Sequence, residues 1–491
     1  MKAEEMRADY SVLNAPETIA SGWHRVRLGD IAKVIRGVTY KKEQASENPA
    51  RDTLPILRAT NIQDGALVLD SDLVHVPADL ISDTQKLRVG DIVVATSSGS
   101  KHLVGKTAQV KETWEGSFGA FCAAIRPTTD IYHRYLGYFF ESREYKDYIV
   151  KKALGVNINN LRRGDLEEIS VPVAPLDQQK HIVAEIEKQF SRLDDAVANL
   201  KRVKANLKRY KAAALKAAVE GRLVETEAEL ARREGRTYET GEQLLQRILE
   251  TRRSQWQGKG KFKEPAAPDT TDLPELPEGW VWASVDQLAA PEPSSITDGP
   301  FGSNLKTEHY QDAGPRVIRL QNIKDGEFAD EYAHITQEHF ERLSKHEIRA
   351  GDLVIASLGE NPPRACIIPA SVGPAIVKAD CIRFKPHPSM YAKYLNAALN
   401  CLPTRQRVKD VLHGIGRPRL SLGEIRSIAL PVPPRPEQQR IIAEIDRRLS
   451  IIRETEIRVD ANLQRAERMR QAILGRAFKV PQSQRAMETI A

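Results

Sequence analysis

The chain has 491 residues, of which 28% are charged and 41% hydrophobic, and its 73 Lys and Arg against 66 Asp and Glu leave a net charge of +7. That length accommodates roughly two to four domains with real cores, and the modest basic excess permits nucleic-acid binding without arguing for it. No run approaches roughly eighteen apolar residues, and residues 1–10 hold five charges, so a membrane span and a secretory leader are excluded and the expected compartment is the cytoplasm. Cys122, Cys366, Cys381 and Cys401 lie far apart with no close pair, whereas a tetrahedral zinc site needs ligand pairs on short loops. They read as reduced core residues, and no metal is expected.

In chain order, the first element is an aromatic opening, Gly22-Trp23, followed by the block LPILRATNIQDG over 54–65. Next comes KLRVGDIVVATS over 86–97, in which a GD turn leads into a β-branched run at Val93 to Ala95. A helical patch over 132–153 and a proline-rich entry over 170–187 lead into a long helix. Along it Ile186, Phe190, Leu193, Val197, Leu200, Lys204, Leu207, Lys211 and Ala214 step alternately by four and three, the period of a coiled-coil seam. Residues 251–278 are rich in proline and charge and read as a linker laid over the surface, preceded by a short helix over about 240–250.

The same order then begins again. Gly279-Trp280 opens it; Arg58, Asn61, Ile62, Asp64 and Gly65 recur 261 positions on as Arg319, Asn322, Ile323, Asp325 and Gly326; and EIRAGDLVIASL over 347–358 repeats the GD block. Cys381 answers Cys122, and ALPVPPRPEQQRIIAEID over 429–446 answers SVPVAPLDQQKHIVAEIE at an offset of 259 or 260. The second helix steps through Ile445, Leu449, Ile452, Glu456, Val459, Leu463, Ala466, Arg470 and Ile473, each 259 beyond its counterpart. Blocks recurring in one order at a near-constant offset mean two copies of one module. Each reads as a mixed α/β domain plus a helix. Two matching helices in one chain offer each other an antiparallel partner, with Lys204, Lys211, Glu456 and Arg470 as polar intrusions facing partner helices.

Catalytic motifs are approached and missed. Val104-Gly105-Lys106-Thr107 resembles the end of a phosphate-binding loop, but Ser100 stands where glycine is needed and a strand-like run follows. Asn361-Pro362-Pro363-Arg364 resembles an adenine methyltransferase loop with Arg364 in place of the stacking aromatic, and no glycine-rich cofactor loop precedes it. The histidines form no defensible triad.

Basic residues cluster twice. Residues 196–216 carry Lys201, Arg202, Lys204, Lys208, Arg209, Lys211 and Lys216 with no acid, a solvated face or a phosphate-facing one. Basic, amide and hydroxyl residues also flank the glycine turns. In the first copy they are Lys41, Lys42, Arg58, Asn61, Ser97, Ser98, Lys101, Asn157, Asn159, Arg162 and Arg163. In the second they are Ser303, Asn304, Lys306, Arg319, Asn322, Arg364, Arg417 and Arg419. Arg and Asn make bidentate contacts to guanine and adenine edges, and Lys neutralises phosphate. Because Arg58/Arg319 and Asn61/Asn322 recur in both copies, a fold-holding role competes with DNA reading at those positions.

The chain resembles, across nearly its whole length, the specificity subunits of type I restriction-modification systems. The carrying residues are the Gly-Trp openings, the R-x-x-N-I-x-D-G blocks, the Gly90-Asp91 and Gly351-Asp352 blocks, Asp298 to Ser303, and the proline–glutamine entries at Pro172 and Pro431. The helix endings at 219–223 and 473–477 and the central segment belong to the same likeness. The first copy has Arg36-Gly37-Val38-Thr39 where the second has its Gly-Pro-Phe-Gly-Ser, so loop functions are not mapped between copies there.

The resemblance implies an α/β (mixed α+β) tandem repeat: two globular DNA-recognition domains joined by two long antiparallel coiled-coil helices. The boundaries expected are 1–172 and 279–431 for the recognition domains, 173–220 and 432–478 for the helices, 221–278 for the short helix and linker, and 479–491 for a tail. Implied partners are double-stranded DNA, two modification (methyltransferase) subunits and restriction (translocase and endonuclease) subunits. S-adenosylmethionine, ATP and Mg2+ would belong to those subunits; this chain itself would hold no cofactor and catalyse nothing. A 28-residue seam spans about 42 Å, on the scale of one turn of B-DNA at roughly 34–36 Å, which suits a bipartite, asymmetric site. The competing class is a non-catalytic coiled-coil scaffold or a bivalent DNA-binding regulator outside restriction.

Overall fold

The computed structural model describes residues 22–63, 65–98, 103–155, 160–258, 260–359, 361–414 and 416–480. The chain divides into two units that share the long helices: Met1–Lys201 with Asp460–Ala491, and Arg202–Val459.

In the first unit, His24–Arg27 pairs antiparallel with Ser170–Val173, closing the start of the domain onto its end. A four-stranded antiparallel sheet runs in the order Ala32–Arg36, Cys122–Pro127, Ile92–Ala95, Thr107–Gln109. Its inner strand Ile92–Ala95 is apolar and buried at every position because the sheet is covered on both faces. Ile92, Val94 and Ile125 face a core with Tyr135, Leu136 and Phe139, while Val93, Ala95 and Ala124 face Leu57 and Phe118. A second sheet places Thr53–Leu57 parallel to Ser117–Phe118 and antiparallel to Val74–Pro77.

The second unit repeats this plan. Val281–Ser284 pairs with Ala429–Val432; the four-stranded sheet runs Ile296–Thr297, Cys381–Phe384, Leu353–Ala356, Arg364–Ile367; and Gln311–Ile318 lies parallel to Ala375–Val377. The segment between the copies holds the helix expected near 240–250 and a second one before it. Helices Glu227–Glu234 and Gly241–Ser254 fold into this unit, and Leu244, Leu245 and Ile248 enter its main core. Each begins with a threonine cap and a Glu or Gln three residues on, a signal present in the sequence.

The repeated motifs that carried the family likeness are structural locks. Gln179 is buried; its amide oxygen accepts from Tyr132 N at 2.9 Å and its nitrogen donates to Ala174 O at 2.8 Å. Gln438 does the same with Tyr391 N at 2.9 Å and Pro433 O at 2.9 Å. The Tyr135 hydroxyl donates to Pro172 O at 2.7 Å and that of Tyr394 to Pro431 O at 2.9 Å. These bonds settle the offset at 259, so Gln178 corresponds to Glu437: Trp23 Nε1 donates to Gln178 and Trp280 Nε1 to Glu437, both at 3.1 Å. In the GD turns, Gly90 and Gly351 take φ +96° and +89°, left-handed values at which a side chain would be strained. Asp91 then accepts from Arg88 N and Asp352 from Arg349 N. The four cysteines are buried free thiols, and burial pushes Cys122 and Cys366 up to about 12.

The long helices are Leu176–Val219 and Arg435–Ala477. Proline in the first turn, at Pro436, needs no amide donor there. Of the seam, Ile186, Phe190, Ile445, Ile452 and Val459 are buried, and Leu193, Val197, Leu200, Leu207, Leu449 and Leu463 half-buried. Within each unit the helices run antiparallel. In the first, Ile186 and Phe190 near one start share a core with Ile473 and Leu474 near the other end. In the second, Ala218 and Val219 share one with Ile441, Ile442 and Ile445. Arg470 faces the other long helix: its guanidinium lies 3.9 Å from the Phe190 ring centroid and pairs with Asp194 at 3.0 Å. Lys204 is exposed, and Lys211 and Glu456 are half-buried. No helix among the described residues is long and apolar enough to cross a membrane.

Candidate nucleic-acid interface

The residues singled out in the sequence separate into two groups. Asn61 and Asn322 are completely buried. Asn61 Oδ1 accepts from Arg58 N at 2.8 Å, and its Nδ2 donates to Val68 O at 3.2 Å and Ser71 O at 2.9 Å. Asn322 makes the same three bonds with Arg319 N at 2.9 Å and with Ala329 O and Glu331 O at 2.8 Å. A fully buried amide with both N–H groups spent cannot make a bidentate contact to a base edge, so both are corrected from DNA contacts to fold-holding residues. Arg58 and Arg319 share part of that role, donating to Asp72 O and Tyr332 O at 3.0 Å, while staying half-exposed. We expect Asn61→Ala to cost on the order of 2–4 kcal/mol, since it orphans one buried donor and two acceptors. Lys41→Ala should leave stability unchanged. Urea denaturation of the two variants checks this; equal midpoints would contradict it.

The second group is on the surface. Lys41 and Lys42 are exposed at the end of the first sheet, and Arg162 and Arg163 are exposed at a helix start, with Arg163 paired to Glu167 at 2.6 Å. Lys101, Asn157 and Asn159 lie outside the described residues. Arg58, Ser97 and Ser98 converge on one pocket of about 600 Å3, together with Tyr40 and the exposed ring of Phe121. In the second unit Ser303, Asn304 and Lys306 are exposed; the Asn304 carbonyl accepts from His339 Nε2 at 2.8 Å, and Lys306 Nζ lies 3.6 Å from Glu308. Arg419 pairs with Asp380 at 2.8 Å and lies over the exposed Phe301 ring at 5.9 Å. Leu358 pairs with Arg419 as an isolated bridge, and Gly359 N donates to Pro418 O at 3.2 Å, which brings Arg417, Arg419 and the half-buried Arg364 side of the loop together.

The loops are equivalent. Ser97 bridges to Asn160 where Leu358 bridges to Arg419, and Leu161 N donates to Thr96 O where Leu420 N donates to Ser357 O, at 2.7 and 2.8 Å. The same backbone frame therefore presents Asn160 in one copy and Arg419 in the other. On the first long helix Lys201, Arg202, Lys208, Arg209 and Lys216 are exposed, with Lys211 half-buried. Phe121 and Asp380 were missed in the sequence, although each immediately precedes the repeated cysteine. Among the described residues no group of three His, Cys, Asp or Glu could hold a metal ion.

Two α/β domains on one plan, with unlike side chains on like loops and each continuing into a long helix, define a tandem recognition protein. Comparison places it. The family model for the type I restriction modification DNA specificity domain matches residues 20–209. The EcoKI specificity subunit of Escherichia coli K12 is 27% identical over 479 residues, covering 94% of this chain and 89% of that one. The StySPI specificity subunit of Salmonella potsdam is 41% identical over 205 residues, 42% of this chain and 44% of that one. A solved chain, from work on complex assembly and conformational transition of the type I R-M system, has the same fold, with a TM-score of 0.62 at 16% identity over 94% of this chain and 99% of that one. The chain belongs to the family of type I restriction-modification specificity subunits, the non-catalytic DNA target-recognition chains of these systems.

Proposed function

We propose that this chain reads a bipartite, asymmetric double-stranded DNA site, one half-site per α/β domain, and holds two modification subunits on it, with restriction subunits joining that assembly in the cytoplasm. In this reading residues 1–172 and 279–431 are the readers. The helices at 173–220 and 432–478 set their separation, 221–278 connects the copies and 479–491 is a tail. S-adenosylmethionine belongs to the modification subunits, and ATP and Mg2+ to the restriction subunits. The observation that carries it is the equivalence of the loops: Asn160 in one frame and Arg419 in the other occupy the same bridge position. Different chemistry on one frame fits two different half-sites. The surface set Lys41, Lys42, Ser97, Ser98, Arg162, Ser303, Asn304, Lys306, Arg364, Arg417 and Arg419 supplies the contacts, with Lys101, Asn157 and Asn159 on the same first-copy loops by sequence.

The test is a methylome of cells expressing this chain with its modification subunits. A two-part motif is expected, and exchanging residues 1–172 for those of a relative should change one half only. A motif whose halves both changed with that exchange, or a single contiguous motif, would refute the reading.

A further inference from the structure

The turns that precede Cys122 and Cys381 match bond for bond. Cys122 N donates to Gly119 O at 2.8 Å and Cys381 N to Lys378 O at 3.0 Å. Gly119 N donates to Leu57 O, and Lys378 N to Ile318 O, both at 2.9 Å. The carbonyl of the tip residue accepts from the neighbouring strand end: Phe121 O from Thr96 N at 2.9 Å, and Asp380 O from Ser357 N at 3.0 Å. The same backbone bonds hold the frame in both units; in the second, Ser357 Oγ also donates to Asp380 O at 3.1 Å and Asp380 takes a left-handed φ of +66°. The tip side chain is free to differ, and it does. Asp380 points to Arg419, whereas Phe121 leaves 69% of its surface exposed.

An exposed phenylalanine on this turn is not needed by the fold, since aspartate stands there in the other copy. Its surroundings fit a nucleobase. The pocket beside it is lined by Leu103 and Ala59, by hydroxyls at Thr60 and Ser97, and by Arg58; Asp72, outside the lining, pairs with Arg58 and accepts from the Thr60 hydroxyl at 2.7 Å. Arg58 Nε is buried without a hydrogen-bond partner. Lys41 and Lys42, next in chain to the pocket residue Tyr40, add positive charge at the rim.

We infer that this turn tip is a specificity-determining position in both domains: Phe121 reads its half-site by stacking on or wedging beside a base, and Asp380 acts by aligning Arg419. This rests on the reading of each domain as a half-site reader. Aromatic wedging favours steps that unstack cheaply, so the Phe121 half-site should contain a flexible pyrimidine–purine step at the contact.

The experiment uses the full complex of this chain with its modification subunits. Phe121→Ala, Phe121→Tyr and Asp380→Asn are compared with the wild type by methylation mapping, and by affinity for duplexes carrying single-base changes in either half. Phe121→Ala should weaken binding to the cognate duplex by about tenfold or more, the scale of one base–aromatic stack. It should also flatten discrimination at one or two adjacent positions of one half-site, and Phe121→Tyr should restore both. Asp380→Asn should relax discrimination in the other half only. Thermal melting should be unchanged for both Phe121 variants, which separates recognition from folding. A cognate affinity within about twofold of wild type for Phe121→Ala, with the same mismatch profile, overturns the inference while leaving the bipartite reading intact. Equal weakening on every duplex, cognate or not, makes Phe121 a non-specific contact and overturns it too. A wild-type complex that methylates no two-part site removes the bipartite reading itself.

Discussion

Phe478→Ala is expected to destabilise the first unit by about 3–5 kcal/mol, the cost of truncating a buried phenylalanine. Phe478 is 3% exposed, with its ring 5.0 Å from Tyr135 and 5.6 Å from Phe139 in edge-on contact. Both partners are on His133–Glu141, a helix of the first copy, while Phe478 follows directly on the end of the second long helix. With Ile473 and Leu474 it completes a core that the first copy begins and cannot finish from its own sequence. The edge-on geometry adds roughly 0.5–1.5 kcal/mol per aromatic pair beyond burial, so the loss should fall at the upper end. Hydrogen exchange checks it: amides over 133–155 should exchange faster in the variant, and those over 392–400, in the second unit, should not. Equal acceleration in both segments, or none in either, would show that the chain end is not part of the first core.

Glu437→Gln is expected to stabilise the second unit above neutral pH. The Glu437 side chain is completely buried, accepts from Glu227 N at 2.9 Å at the start of Glu227–Glu234, and accepts from Trp280 Nε1 at 3.1 Å. Burial pushes its carboxyl up to about 7 from the ordinary 4.5, against the lowering effect of those hydrogen bonds. A carboxyl raised in the folded state gives full stability below its unfolded value and loses it as pH rises through the folded one. The loss therefore runs from about pH 4.5 to 7 and amounts to about 3 kcal/mol by pH 8. Glutamine carries no charge and keeps an acceptor for Trp280, as Gln178 does for Trp23, but its amide nitrogen cannot accept from Glu227 N, a cost that is the same at every pH. Nearby, Glu227 is held low although burial opposes it, because Arg440 and Arg236 bond it at 2.6 and 2.7 Å. That pair loses stability as pH falls, so the wild type has an optimum between the two effects. Urea denaturation at pH 5 and pH 8 measures the difference: the variant should be the less stable at pH 5, where the wild-type carboxyl is neutral and the variant leaves Glu227 N without its acceptor, and should exceed wild type at pH 8. A variant less stable at pH 8 would show that the carboxylate is charged and needed there by the Glu227–Glu234 helix.

The sequence by itself determined that there are two copies of one α/β module and two long helices. Both conclusions rest on local periodicity and on repetition, which need no knowledge of distant contacts. It also placed the seam, because a side chain recurring every 3.5 residues faces one way whatever surrounds it. Even so, Lys204 on that seam is exposed and the Arg470 guanidinium lies over the Phe190 ring. What a repeated residue was for could not be read along the chain. Arg58 and Asn61 recur with Arg319 and Asn322 at one spacing whether they hold a turn or read a base, and only burial assigned the asparagines to the turn. Gln178 and Glu437 were equated by the matching bonds of Gln179 and Gln438 and of Trp23 and Trp280, since one-residue shifts of a glutamine run look alike in sequence. The pairing of Phe121 with Asp380, and the use of Phe478 to finish a core that begins near residue 28, depend on which surfaces meet when the chain closes on itself. Hydrophobic pattern specifies that a side chain is buried; partner, register and exposure are properties of the packed tertiary structure, in which residues hundreds of positions apart share one core.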